Sequence, residues 1–330
     1  PADNAGATNT HIKGSGHDAI VEGEAKSFPF GKRTDFVNDF NAAPASRDVS
    51  ASIGRLFIYP IKSCAGIEVQ EAMLLETGLE WDRAWMVVDG EGEFVTQREL
   101  PRMALIKPQI KTEEMILRAP GMLALHIALD AAEEPTRVRV WDDEVKAYDM
   151  GSVAAQWFSD FLGQPLRLVR FDPEQQRLSS VKWTGGVEAP HQFADGFPVL
   201  VTSEASVDDL NARLRAASLE PVGVERFRAN VVLAGVEAHD EDRLDVFHVR
   251  TDHEDGVKLK PVKPCARCPI PNIDPATANS SPSVGDTLQT YRQDARMNGA
   301  ITFGMNAILL AGAGQWLRVG QSVSADFVFD

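Results

Sequence analysis

Apolar residues of this chain alternate with polar ones in short runs, and helical spacing is confined to two stretches. Arg55-Leu56-Phe57-Ile58-Tyr59 predicts a strand that stops at Pro60. Trp85–Val88 and Glu93–Thr96 flank Asp89-Gly90-Glu91-Gly92 and predict a hairpin. Met115–Arg118 with Leu123–Ile127 across Pro120-Gly121 predicts a second hairpin. Arg137–Trp141 with Glu144–Tyr148 across Asp142-Asp143 predicts a third. Three consecutive hairpins imply an antiparallel barrel or sandwich module. Val153, Trp157, Phe158, Phe161 and Leu162 fall on one helical face, and Gly163 closes that helix. Thr202-Ser203 caps a second helix running through Leu210 and Leu214. Strands are expected again over Phe227–Ala234 and Arg243–Val249, and Trp316–Val323 resembles a closing strand with a turn.

These elements describe a β-rich α+β chain with a few helices. The first fifty residues lack sustained periodicity and read as an irregular extension over 1–50. A barrel-like domain over 51–175 and a second domain over 176–330 follow. No fixed repeat and no low-complexity block interrupts them.

Composition narrows the function. A formal net charge of -15 argues against nucleic acid or an anionic membrane as partner, and leaves any anion site to a local basic cluster. Three cysteines cannot build a disulfide framework or hold an iron–sulfur cluster alone, which suits a reducing cytoplasm. No apolar run approaches a membrane span, and no secretory signal is expected. Gly-x-Gly-x-x-Gly, Walker-type and Ser-elbow motifs are absent, so nicotinamide, nucleotide-hydrolysis and esterase chemistries lose support.

Two of the cysteines stand in Lys263-Pro264-Cys265-Ala266-Arg267-Cys268-Pro269-Ile270-Pro271. The prolines hold this segment extended and disfavour the helix N-terminus that a thioredoxin-like pair requires. Three readings stay open. Cys265 and Cys268 could join His248 and His253 around zinc. One thiolate could ligate a soft or cofactor metal, with Arg267 on an anionic part of that cofactor. Both could be structural thiols on a loop. Lys62-Ser63 after Pro60 suits a phosphate, and otherwise would be a solvated loop pair. Arg83 beside Asp82 reads as a surface ion pair. Arg228 and Asn230, two apart on an expected strand, share one face and suit phosphate and heterocycle edges, or form a polar strand edge. The N-terminus at Thr202-Ser203 offers free N–H groups to an anion, or is ordinary capping.

Taken in order, these pieces resemble the MOSC-domain family with its N-terminal β-barrel companion, the group of bacterial YcbX-type proteins and mitochondrial amidoxime-reducing components. The likeness runs from about 53 to 325. It rests on Tyr59–Gly66, Asp82–Asp89, Thr96-Gln97-Arg98, Phe193-Ala194-Asp195, Ser203–Ser206, Arg226–Asn230, and Cys265–Cys268 followed by Asp274-Pro275. The resemblance implies a molybdenum cofactor, a pterin dithiolene with a terminal phosphate. It assigns Cys268 as the molybdenum ligand and catalytic residue, and Lys62, Ser63, Arg83, Ser203, Ser206, Arg228, Asn230 and Arg267 as cofactor contacts. It implies reduction of small N-hydroxylated substrates such as hydroxylated base analogues or amidoximes. Ala229 replaces a frequent proline, and Ala266 a frequent serine. Since the cysteines of a ferredoxin-like domain are missing, electrons are expected from a separate ferredoxin- or reductase-type protein. A sulfur carrier like the molybdenum cofactor sulfurases, and a zinc-bound structural module, are the alternatives.

Overall fold

The computed structural model describes residues 47–132 and 134–328. The irregular extension expected over 1–50 falls, up to residue 46, outside the described residues.

A seven-strand ring organises the chain. Its order is Val199–Ser203, Val231–Ala234, Val49–Ile58, Ser322–Ala325, Phe247–Val249, Val257–Ala266 and Ala300–Ala311, and the last pairs back onto the first. Every pair is antiparallel except Val199–Ser203 with Val231–Ala234. Closure needs close approach at one point. Gly304 sits at φ +75°, and a Cβ there would lie 2.6 Å from the Val201 carbonyl oxygen.

The ring is filled by Ile53, Leu56, Val201, Leu233, Phe247, Leu259 and Ala307. Alternation along Val49–Ile58 changes parity, because a register shift between Ile53 and Arg55 inserts one residue. Ile53, Leu56 and Ile58 therefore point inward, and Phe57 and Tyr59 point outward. On the outer face Glu204–Ala216 lays Val207, Leu210 and Leu214 against Phe57, Phe227 and Phe303. The Phe227 and Phe303 rings stack 4.0 Å apart.

The expected hairpins are present but are shared between two sheets. Glu114–Arg118 and Leu125–Ala128 join Lys107–Ile110 in a three-strand sheet. Glu134–Val140 and Asp143–Asp149 join Arg167–Phe171 and Trp85–Val88 in a four-strand sheet. The first hairpin's second limb is reduced to a bridge between Val88 and Phe94. Gly151–Leu162 packs Trp157, Phe158 and Phe161 beneath these sheets and ends at Gly163 in the left-handed conformation. Four α-helices occur among the described residues, so the chain is β-rich.

Two expected strands begin late. Val224–Phe227 is a 3-10 turn, and Arg228 takes φ +57°, so the strand starts at Val231. Asp240–Asp242 forms another such turn, and that strand starts at Phe247. Arg228 and Asn230 thus stand before a strand rather than on one face of it.

Candidate functional site

Beyond Ile58 the chain turns over the rim of the ring and is knitted to the 82–85 segment. Arg83 N–H donates to the Tyr59 carbonyl at 2.8 Å, Trp85 N–H to Pro60 at 3.0 Å, and Lys62 N–H to Trp85 at 2.8 Å. Asp82 accepts from the Tyr59 N–H at 2.8 Å. Gly66 packs under the Tyr59 ring, where a Cβ would fall 2.4 Å from a ring carbon. These loops form one wall of a cavity of about 630 Å³. The Phe227–Asn230 turn, the Lys263–Cys268 segment, the Trp141–Asp143 hairpin tip and the 177–197 loop complete it.

Four cavity residues other than glycine, Ser63, Arg83, Trp141 and Arg228, have φ between +52° and +66°. Such backbone costs of order 1–3 kcal/mol per residue and persists where surroundings enforce it, as at binding sites. Here side chains supply the enforcement. Gln97 Nε2 donates to the Ser63 carbonyl at 2.6 Å. Arg83 Nη2 donates to the Arg228 carbonyl at 3.0 Å, and Arg228 Nη1 to the Cys64 carbonyl at 2.6 Å. Both guanidinium groups lie over Tyr59, at 4.4 Å for Arg83 and 4.3 Å for Arg228. Arg83 also donates to both oxygens of Asp82. It is a largely buried pair rather than the surface one that sequence suggests. Burial, then the neighbouring Arg83 charge, draws Arg228 down to about 10, so it stays charged at neutral pH. Burial likewise pushes the Tyr59 phenol up to about 12, which keeps it neutral.

Lys62 is buried, and its ammonium donates to Phe193 O at 2.8 Å and Asp195 Oδ1 at 2.5 Å. Arg177 donates to Asp143 at 2.6 Å and to Ala194 O at 2.6 Å, and its Nη1 stands 3.2 Å from His191 Nδ1. The same Nδ1 lies 3.2 Å from the Gln192 carbonyl oxygen. Burial first, and then the Arg177 charge, lower the His191 imidazole to about 3.

Arg267 Nη2 donates to Phe227 O at 2.7 Å and its Nη1 lies 2.9 Å from Cys265 Sγ. Its Nε is buried without a hydrogen-bond partner. The two thiols of the segment therefore differ: Cys265 is half-buried under Arg267, whereas Cys268 is exposed on the cavity wall. Cys64 is fully buried, and burial pushes its thiol up to about 12.

Seven cationic side chains (Lys62, Arg83, Arg98, Arg177, Arg228, Lys263 and Arg267) line the cavity against three carboxylates, those of Asp142, Asp143 and Asp195. In a chain of net charge -15 this is a concentrated positive field, fitted to an anion.

Of the residues predicted from sequence, Lys62, Ser63, Arg83, Arg228, Arg267 and Cys268 converge on this cavity. Asn230 reaches its wall, but its amide bridges the Phe57 carbonyl at 3.2 Å and the Leu200 N–H at 3.1 Å. Ser203 and Ser206 are not brought there. Their hydroxyls donate to the fully buried Glu241, at 2.9 Å and 2.6 Å. Thr202 and the Ser203 N–H add bonds of 3.2 Å each, so the anion at this helix N-terminus is the chain's own carboxylate. The zinc alternative is overturned: among the described residues no group of three or more His, Cys, Asp or Glu could hold a metal ion. His248 lies instead on a ring strand opposite Lys258 and Ser324.

Sequence reasoning missed Trp141, Arg177, His191 and Lys263. The last three sit in irregular or proline-rich segments with no pattern to read. Trp141, expected at a strand end before an Asp142-Asp143 turn, instead sits in the turn itself with Asp142.

Comparison with known proteins matches the MOSC N-terminal beta barrel domain over residues 50–165 and the MOSC domain over 188–324. Human mitochondrial amidoxime-reducing component 1 is 35% identical over 262 residues, which cover 73% of this chain and 72% of that protein. Human mitochondrial amidoxime reducing component 2 is 34% identical over 253 residues, with the same two coverages. Human molybdenum cofactor sulfurase is 29% identical over 292 residues, 82% of this chain but 32% of that longer protein.

Proposed function

Because the chain belongs to the MOSC-domain family, with the MOSC N-terminal beta barrel ahead of the MOSC domain, we propose that it is a molybdenum-cofactor oxidoreductase that reduces N-hydroxylated compounds. The observation carrying this reading is the cavity itself, where cations and one exposed thiol meet in an otherwise acidic chain. Its donor set fits an anionic pterin. Arg83, Arg228 and Arg267 supply planar forks, Lys62 and Lys263 supply point charges, and the buried Arg267 Nε lacks a partner.

In this reading Lys62, Ser63, Arg83, Arg228 and Arg267 hold the phosphate and pterin, and Cys268 ligates the metal. Asn230 fixes the wall by holding two backbone groups. Ser203 and Ser206 drop out of the set, since Glu241 occupies them. When bound, the cofactor supplies the two-electron chemistry that cleaves the N–O bond. Overall, N–OH accepts two electrons and two protons and leaves as N–H and water. The chain's own groups orient the ligands and keep Tyr59 and His191 neutral at neutral pH. Electrons come from a separate ferredoxin- or reductase-type protein. A reducing cytoplasm suits the three free thiols, and no helix among the described residues is long and apolar enough to cross a membrane.

The test is purification from a host able to make the pterin, followed by elemental analysis and reductive assay. Stoichiometric molybdenum is expected, with Cys268→Ser inactive while Cys265→Ser and Cys64→Ser keep much of the activity. Nicotinamide alone should not sustain turnover, and an added redox partner should. Full activity in Cys268→Ser, or steady turnover with nicotinamide as sole donor, would overturn the assignment. The sulfurase relative and the exposed Cys268 favour one second reading, sulfur transfer. A persulfide on Cys268 in metal-free protein, seen by mass spectrometry, would select it.

A further inference from the structure

Trp141 stands at the tip of the hairpin joining Glu134–Val140 to Asp143–Asp149. Asp143 pairs with Val140, so the turn has only Trp141 and Asp142 between its strands. Only the first central residue takes positive φ here, the pattern of a II′ turn, which favours Gly at that position. Trp141 nonetheless adopts φ +56°, an outlier for so large a side chain. Local propensity opposes the residue, so something else retains it.

Its surroundings fix the ring rather than bury it. The Phe94 ring lies 4.9 Å away at 59°. The Arg98 guanidinium stands 4.8 Å over the indole. Nε1 donates to Asp195 Oδ1 at 3.2 Å, the oxygen that also holds Lys62. Yet Trp141 remains 44% exposed and lines the cationic cavity. A large aromatic held by three contacts, in disfavoured backbone and still open at a cavity mouth, has the properties of a ligand platform.

We propose that Trp141 is a specificity-determining residue, a stacking shelf that selects N-hydroxylated substrates bearing a planar conjugated group over aliphatic ones. The inference rests on the reductive reading of the same cavity. Stacking on one aromatic is tolerant of ring identity, because every such ring offers a π face. The shelf therefore sorts planar from non-planar substrates and not one heterocycle from another.

The experiment uses cofactor-loaded protein with benzamidoxime and acetamidoxime, read by calorimetric binding and by initial rates. Trp141→Ala is expected to weaken benzamidoxime binding and raise its KM by about tenfold, the order of one lost base–aromatic stack. Acetamidoxime should change by less than about twofold, within the range of surface substitutions. Trp141→Phe keeps a ring and should retain most of the aryl preference, which separates stacking from a fault in the hairpin. If wild-type protein shows no aryl preference, or Trp141→Ala shifts both ligands equally, the shelf is overturned. If neither compound is reduced, the reductive reading fails, while calorimetry still decides the role of Trp141.

Discussion

The ammonium of Lys62 donates to Asp195 Oδ1 at 2.5 Å, although the Lys62 side chain is 7% exposed and that of Asp195 73%. A cation drawn inside is thus neutralised by an anion at the cavity mouth. Burial pulls the Lys62 ammonium below its ordinary range, against the Asp195 charge. Desolvation pushes the Asp195 carboxyl up, but Lys62 outweighs it and holds the carboxyl below the usual carboxylate range. Asp195→Asn is expected to cost about 1–3 kcal/mol of stability, because Lys62 keeps its Phe193 partner and Asp195 is open to water. It should also tighten the binding of inorganic phosphate. Urea unfolding and phosphate titration read the two effects, and weaker phosphate binding would contradict the charge balance described.

His191 gives stability a pH dependence. Its imidazole is lowered from an ordinary 6.5 to about 3 in the folded chain, so the unfolded chain binds the extra proton between those values. The stabilisation is complete above pH 6.5 and is lost as pH falls toward 3. The slope approaches about 1.4 kcal/mol per pH unit for one proton. His191→Gln should remove that increment from the stability-versus-pH curve between pH 6 and about 4, whatever it does to absolute stability. Equal slopes in variant and wild type would show that His191 titrates normally.

Glu241 is the hub of a buried network under the helix Glu204–Ala216. Glu241→Ala strands three hydroxyls and the Ser203 N–H together. Breaking a buried charged network of this kind costs about 3–5 kcal/mol. Ser206→Ala removes one donor and should cost about 1–2 kcal/mol. At temperatures where both variants stay folded, molybdenum content should match wild type. A selective loss of metal from folded Ser206→Ala would return that serine to the proposed cofactor site.

Arg228 and Arg83 make unequal demands on their substitutes. Arg228→Ala deletes a charge, the bond to the Cys64 carbonyl and the contact over Tyr59. Arg83→Lys keeps the charge and loses the fork. Molybdenum retained through gel filtration should therefore fall much further in Arg228→Ala. Equal metal content in both variants and wild type would remove the anion-binding role from this pair.

Legibility in the sequence followed periodicity. The Gly151–Leu162 and Glu204–Ala216 helices and the second hairpin stand where spacing and turn residues place them, whereas the third hairpin turns one residue early, at Trp141-Asp142. Val257–Ala266 and Ala300–Ala311 left no such trace. Pro261 and Pro264 lie inside the former, each beside a register shift that accommodates the missing N–H. The apolar Ala300–Ala311 run lacks alternation because it is buried over much of its length. At the site, residues within short motifs were readable, since Lys62, Arg83 and Arg228 lie in local turns and Cys268 in a proline-rich segment with recognisable neighbours. Ser203 was legible as a cap and misleading as an anion site. Its anionic partner, Glu241, arrives from a separate turn with no periodic signal. Trp141 and His191 reach the cavity only through long-range packing.

The closure of the ring has a consequence for how the chain must be made. Val49–Ile58 pairs on one side with Val231–Ala234 and on the other with Ser322–Ala325. During synthesis the first of these strands leaves the ribosome long before either neighbour exists, and its apolar face waits for them. Loop closure across such separations is slow relative to local contacts. The cavity wall at Tyr59–Ser63 hangs from that waiting strand. Competence to bind a ligand therefore comes late in biogenesis, after Ser322–Ala325 has been translated, and the unfinished ring exposes unpaired strand edges that invite aggregation and chaperone capture.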